Sequence, residues 1–112
     1  MDINEIDRYI KKYFLAPYRI RILKAKQDYD IGMKGKCRPK DTKEIDNLYN
    51  YIEAIESIVG AEDIKNIEIF RLDNNTVLEE FKMPKHKAWN YRKRVRSKIL
   101  EAINSGELLE LK

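Results

Sequence analysis

Between Lys82 and Lys98 the chain carries eight Lys or Arg residues and no Asp or Glu. The other 15 bases are outnumbered by 19 acids, so the formal net charge of +4 is concentrated in this one run. Cations gathered without interleaved acids suit the neutralisation of phosphates and the release of their counterions. The competing reading is a solvated helix face that binds nothing. Spacing sorts the side chains. Ala88, Tyr91, Val95, Ile99 and Ala102 recur at steps of three and four and predict one buried stripe. At about 100° per residue, His86, Asn90, Lys93 and Ser97 then point the opposite way. The Asn90 amide can pair bidentately with adenine, and Lys93 can reach guanine acceptors. His86 and Trp89 complete a candidate base-reading set. Trp89 has two readings, contact with a thymine methyl or sugar, and packing against the preceding helix or a second subunit. Lys85, Lys87, Arg92, Arg94, Arg96 and Lys98 spread over the flanks where phosphates would lie, with Arg92 nearest the buried side.

The elements that must position these groups can be read in turn. Val77, Leu78, Phe81 and Met83 line one side of a short helix and its exit, and Pro84 suits the first turn of the next helix. Two helices across a tight turn, the second basic, form a helix-turn-helix pattern. Glu79 and Glu80 should face away from phosphate or pair with nearby bases. Upstream, Ile3, Ile6, Tyr9, Ile10, Tyr13 and Phe14 predict a helix capped by Asp2. Pro17 should end or kink it near Leu15 or Ala16. Tyr18, Ile20, Ile22, Leu23 and Ala25 continue the apolar pattern to about Asp30, as one kinked helix or two.

Residues 30–41, DIGMKGKCRPKD, read as a loop. Its Lys34, Lys36, Arg38 and Lys40 are either a second phosphate-contacting element or a solvated basic connection. Asp41 or Thr42 should cap a regular helix with Ile45, Leu48, Tyr49, Ile52, Ile55 and Ile58 on one stripe, ending at Gly60. A further helix is expected from Ala61 through Ile64, Ile67, Ile69, Phe70 and Leu72. Residues 41–81 hold eleven acids and three bases, an acidic middle expected to cover the side away from a polyanion or to meet a basic partner. At the end, Leu108, Leu109 and Leu111 either pack back on the core or form a dimer contact.

A chain of 112 residues fits one domain, all-α on this pattern, with residues 1–40 as an N-terminal helical segment and basic loop and 41–112 as the part holding the two-helix reader. No apolar run approaches the roughly 20 residues of a membrane span, and no secretory core is present. The single Cys37 offers neither an internal disulfide nor metal-site spacing, and nothing in its sequence context marks it as reactive. The expectation is a soluble cytoplasmic protein, monomer or dimer, without cofactor or metal. No Ser, Cys or carboxylate constellation around His86 argues for catalysis.

The stretch from Ile52 to Ile103, IEAIESIVGAEDIKNIEIFRLDNNTVLEEFKMPKHKAWNYRKRVRSKILEAI, resembles the fourth region of bacterial sigma factors. Lys82 sits where that region's turn usually has Gly, and Pro84 replaces its usual Ser cap. The preceding YIKKYFLAPYRIRILKAKQDYD is similar to the N-terminal helices of phage late-transcription regulators of the ArpU and RinA type. The resemblance implies a small helical fold with a sigma-region-four-like helix-turn-helix that binds specific double-stranded DNA. It also implies regulation at late or packaging gene promoters with host RNA polymerase, in a bacterial host cell. Two other classes stay open. A small terminase subunit-like packaging factor would form a stable ring of many subunits. A protein-interaction module would use the basic helix without DNA.

Overall fold

The computed structural model describes residues 2–108, and all regular structure among them is helical. In order these are α1 (Ile3–Lys34), α2 (Pro39–Val59), α3 (Ala61–Ile64), a 3₁₀ turn (Ile67–Arg71), α4 (Asn74–Phe81) and α5 (Lys85–Asn104). The small all-α class is as expected. The chain gathers into two compact units, one of residues 11–55 and one of residues 1–10 with 56–112. The 40/41 boundary expected from sequence falls inside the first of these.

In the unit of residues 11–55, α2 runs back along α1. The pairs Lys26–Asp41, Arg19–Glu44 and Lys12 over Tyr51 step in opposite directions along the two helices. Ala16, Ile20 and Leu23 of α1 pack with Ile45 and Leu48 of α2, and Ile52 lies against them. That apolar burial explains why Pro17 does not end α1. Proline costs a helix interior about 3 kcal/mol through its missing N–H and ring clash. Burying Ile20 and Leu23 returns roughly 1.5–3 kcal/mol each, and the Pro17 ring itself sits on the exposed side.

The expected loop at residues 30–41 is much shorter. α1 continues to Lys34 and α2 already starts at Pro39, leaving only residues 35–38 between them. Asp30 and Asp41, expected as loop ends, are both buried. Asp41 does not cap α2. It lies in the first turn, with Lys26 Nζ 3.0 Å from its Oδ2, while Thr42 accepts a hydrogen bond from Gln27. Pro39 takes the first helical position instead, where a missing N–H costs nothing. Lys34, Lys36, Arg38 and Lys40 are all exposed, but Lys34 and Lys40 belong to helices.

In the other unit, Asp2 caps α1 as expected, accepting from Glu5 N at 2.8 Å. Ile6, Tyr9 and Ile10 are buried, whereas Ile3 is exposed. At the end of α2, Val59 is fully buried and Ile58 only partly. Gly60 follows with φ 91° and ψ 154°, a conformation open essentially to glycine alone. The single helix expected from Ala61 to Leu72 is absent. It is split into one α turn and a 3₁₀ turn. Ile67 and Ile69 are both buried. Two residues apart, they sit about 160° apart around an α-helix but about 120° apart around a 3₁₀ helix, so the tighter winding brings both toward one core.

Asp73 caps α4, its Oδ1 accepting from Thr76 N at 2.8 Å. Of the expected stripe on α4 only Val77 is fully buried; Phe81 and Met83 are half-buried and Leu78 is exposed. An eight-residue helix presents little more than two turns to a core, so only one position lies fully beneath it. Lys82 ends α4 in the left-handed region, φ 54° and ψ 34°. α5 buries Ala88, Tyr91, Val95, Ile99 and Ala102, the stripe read from spacing, and Ile103 as well. After α5 the chain turns back, with the N–H groups of Glu107 and Leu108 directed to the Ala102 carbonyl and Leu108 buried. Leu109 and Leu111 lie outside the described residues.

A left-handed non-glycine residue is disfavoured by roughly 1–2 kcal/mol, partly offset by the extra chain entropy of an unfolded glycine. Lys82→Gly should therefore raise stability by about 0.5–1 kcal/mol, read as a higher urea midpoint at unchanged slope. Lys82→Val should lower it by at least as much.

Candidate nucleic-acid interface

Helix α5 is anchored through its buried stripe, and the charged residues beside that stripe decide how it is oriented. Asp63, in the single turn of α3, is the centre of one cluster. Arg94 grips its carboxylate with two nitrogens, Nε to Oδ2 at 3.0 Å and Nη2 to Oδ1 at 2.9 Å. Lys98 Nζ donates to the same Oδ2 and to the Val59 carbonyl, both at 2.8 Å. The Tyr91 hydroxyl donates to the Asp63 carbonyl. Bidentate, charge-assisted geometry of this kind is stronger than a point-charge contact. The Arg94 guanidinium, with Lys98, holds the Asp63 carboxyl below its ordinary 3.8 at about 2, against the opposing effect of burial. Burial, with the nearby Asp63 charge, pushes the Tyr91 hydroxyl up beyond the usual phenol range, so it stays a donor.

Two further arginines are tied in the same manner. Arg92 donates to the carbonyls of Ile69 and Leu72 and to the Asn74 side chain, each at 3.1 Å. It thereby closes off the end of the 3₁₀ turn and the start of α4. Arg96 makes a bidentate pair with Asp7, at 2.8 and 3.0 Å, and lies over the Phe70 ring. Arg92, Arg94, Arg96 and Lys98, read from sequence as phosphate contacts, thus have protein acceptors. Three of those acceptors are backbone carbonyls, and two are acids, Asp7 and Asp63. The acidic middle does not simply cover the opposite side, since its Asp63 sits directly against the basic helix.

What remains outward is a narrower set. His86, Asn90, Lys93 and Ser97 are exposed, as their spacing implies, and Lys85 and Lys87 are exposed in the first turn. Lys82, in the connection between α4 and α5, is exposed beside them. No acid occurs on α5 before Glu101. Lys85, Lys87, Lys93 and Lys82 are the cations of the original run left for a ligand. Trp89 is 58 % exposed. Lys93 Nζ lies 5.0 Å from its ring centroid, and the indole edges a recess of about 250 Å³ lined by Ile3, Ile6 and Leu100. Among the described residues no three His, Cys, Asp or Glu side chains come close enough to hold a metal ion. No helix there is long and apolar enough to cross a membrane.

The anchoring residues were hidden from sequence reasoning because a cation's partner can be any acid or carbonyl in the chain. Arg94 and Lys98 share a carboxylate 31 and 35 residues away. The one available signal was their i,i+4 spacing on the flank of the buried stripe, which lets two cations converge on one acceptor.

The depressed Asp63 carboxyl sets a pH dependence. Its contribution is fully present above the unfolded value near 3.8 and is lost as pH falls through about 2. In that window the parent should lose about 2 kcal/mol of stability through this group. Asp63→Asn should be less stable by about that amount at pH 7, and its unfolding free energy should fall less between pH 4 and pH 2, as followed by urea titration. In comparison with known proteins, the chain matches no family model, no curated protein and no solved structure.

Proposed function

We propose that this protein is a sequence-specific DNA-binding transcription regulator in which α4 and α5 act as a helix-turn-helix and α5 enters the major groove. The observation that carries this reading is the outward face of α5. Asn90, Lys93 and His86 are exposed on one side of a helix with no acid before Glu101, and Lys85 and Lys87 stand at its start. A major groove accommodates one α-helix, and an outward amide with a neighbouring ammonium supplies the donors and acceptor that base edges need. Lys82, Lys85 and Lys87 then take the phosphates, and Arg92, Arg94, Arg96 and Lys98 hold the helix at its angle. Such backbone contacts position the reader without specifying sequence. The exposed Lys34, Lys36, Arg38 and Lys40 remain candidates for a second phosphate contact. The resemblance to phage late-transcription regulators supplies the setting: promoters of late or packaging genes, with host RNA polymerase as the protein partner.

One observation favours a second reading. The apolar recess beside Trp89 would accept a hydrophobic side chain, and a protein-interaction module would use it together with the basic face.

The test is fluorescence anisotropy of a labelled random duplex over a salt series. The parent should bind, with affinity falling steeply as salt rises. The triple variant Lys85→Glu, Lys87→Glu, Lys93→Glu should bind more weakly, with a log–log salt slope shallower by about 0.9 per phosphate contact removed. Positions 85 and 87 lie in the first turn, where acids favour the helix dipole, and Lys93 is exposed, so this variant should keep its fold. On a selected site, Asn90→Ala should lose about 1–3 kcal/mol of discrimination while keeping the parent's salt slope. A parent that fails to bind duplex at low salt overturns the reading.

A further inference from the structure

Helix α1 carries a second apolar stripe that its own fold leaves open. Ala16, Ile20 and Leu23 face the core shared with α2. Turned about 140° away on the helical wheel lie Leu15, Tyr18, Ile22, Ala25 and Tyr29, all of them exposed, followed by Gly32. Ile22 is 60 % and Tyr29 64 % exposed. The steps along this line are three, four, three, four and three, the heptad spacing of a two-helix seam. It extends over about 26 Å of helix and lies wholly within the unit of residues 11–55.

We propose that this stripe is an isologous interface at which α1 packs antiparallel against α1 of a second copy of this chain. Three features select that occupant. The first is shape. In an antiparallel register with Ile22 facing the second copy's Ala25, Leu15 faces Gly32 and Tyr18 faces Tyr29. Large residues then oppose small ones, and the two tyrosine layers are symmetric. The second is Gly32 itself. Glycine inside a helix is unfavourable relative to alanine, and nothing in the chain lies within 4 Å of where its Cβ would be. Its own packing does not call for a glycine; a facing Leu15 does.

The third is charge. Arg21 and Asp28 border one edge of the seam, and neither has an ion-pair partner among the described residues; Arg21 rests on the Tyr18 ring at 4.7 Å. In the antiparallel register each Arg21 meets the second copy's Asp28. Along the other edge Arg19 and Lys26 approach one another, but both are already neutralised, by Glu44 at 3.1 Å and Asp41 at 3.0 Å. A parallel pairing would set Arg21 against Lys26 and Gly32 against Gly32, losing both the charge match and the fill. This interface stands independently of the nucleic-acid reading.

Sedimentation equilibrium of the full chain over a micromolar range tests it. The parent should approach twice 13.4 kDa. Ile22→Glu, at an exposed position, should keep parental helicity by circular dichroism and sediment as a monomer. Arg21→Asp should raise the dimer dissociation constant about tenfold, and Arg21→Asp with Asp28→Arg should restore it. That rescue depends on the two positions facing each other across the seam, so it also separates self-pairing from general stickiness. A parent that stays at 13.4 kDa leaves the stripe to a different protein and overturns the proposal. So does a dimer that survives Ile22→Glu, or a charge swap that fails to rescue.

Discussion

Asp63 is the constraint on which α5 and its surroundings depend. A buried carboxylate is costly unless paired and hydrogen-bonded. This one is satisfied by two cations of α5, Arg94 and Lys98, while its backbone carbonyl takes the Tyr91 hydroxyl. The single α turn that carries it could not be stable alone, since an isolated turn fixes several dihedrals for one hydrogen bond. It is stable because α5 supplies its partners. In return the turn fixes α5 about its own axis, because three side chains at positions 91, 94 and 98 converge on one residue.

The same economy recurs along the rest of α5. Arg92 ties together the Ile69 and Leu72 carbonyls where the 3₁₀ turn gives way to α4, and Arg96 ties Asp7 at the start of α1. Positive charge in this helix therefore divides along the axis as well as around it. From position 92 on, the cations on the flanks of the buried stripe act as fasteners, whereas Lys93 opposite the stripe and Lys85 and Lys87 in the first turn stay exposed. Arginine fills three of the four fastening positions, as expected where a planar fork must meet a carboxylate or several carbonyls at once. Lysine fills all the outward ones.

In residues 11–55 the two apolar stripes of α1 show a related division. One is covered by α2 and holds Pro17 within a continuous helix. The other is exposed, with its charges arranged along the edges and a glycine where a large side chain would need room. Exposed apolar residues scattered singly need no explanation, but a regular line of them over about four turns is the surface on which the proposed self-pairing rests.

Sequence alone determined the periodic features. The buried stripe of α5 was legible because its residues recur at 3.6, and the break before it because Pro84 suits the first turn of a helix and not its interior. The cap at Asp2 was legible because a short carboxylate reaches the backbone three residues on. Tertiary structure decided what periodicity does not encode. It chose which of the two stripes of α1 meets its own core, and it wound residues 67–71 into a 3₁₀ turn so that Ile67 and Ile69 could both be buried. It shortened the loop at 30–41, because Asp41 found Lys26 and Pro39 could open a helix. It also gave Arg92, Arg94, Arg96 and Lys98 acceptors within the chain itself. Local spacing places a side chain around a helix axis, but only the folded chain decides which distant acid or carbonyl waits beside it.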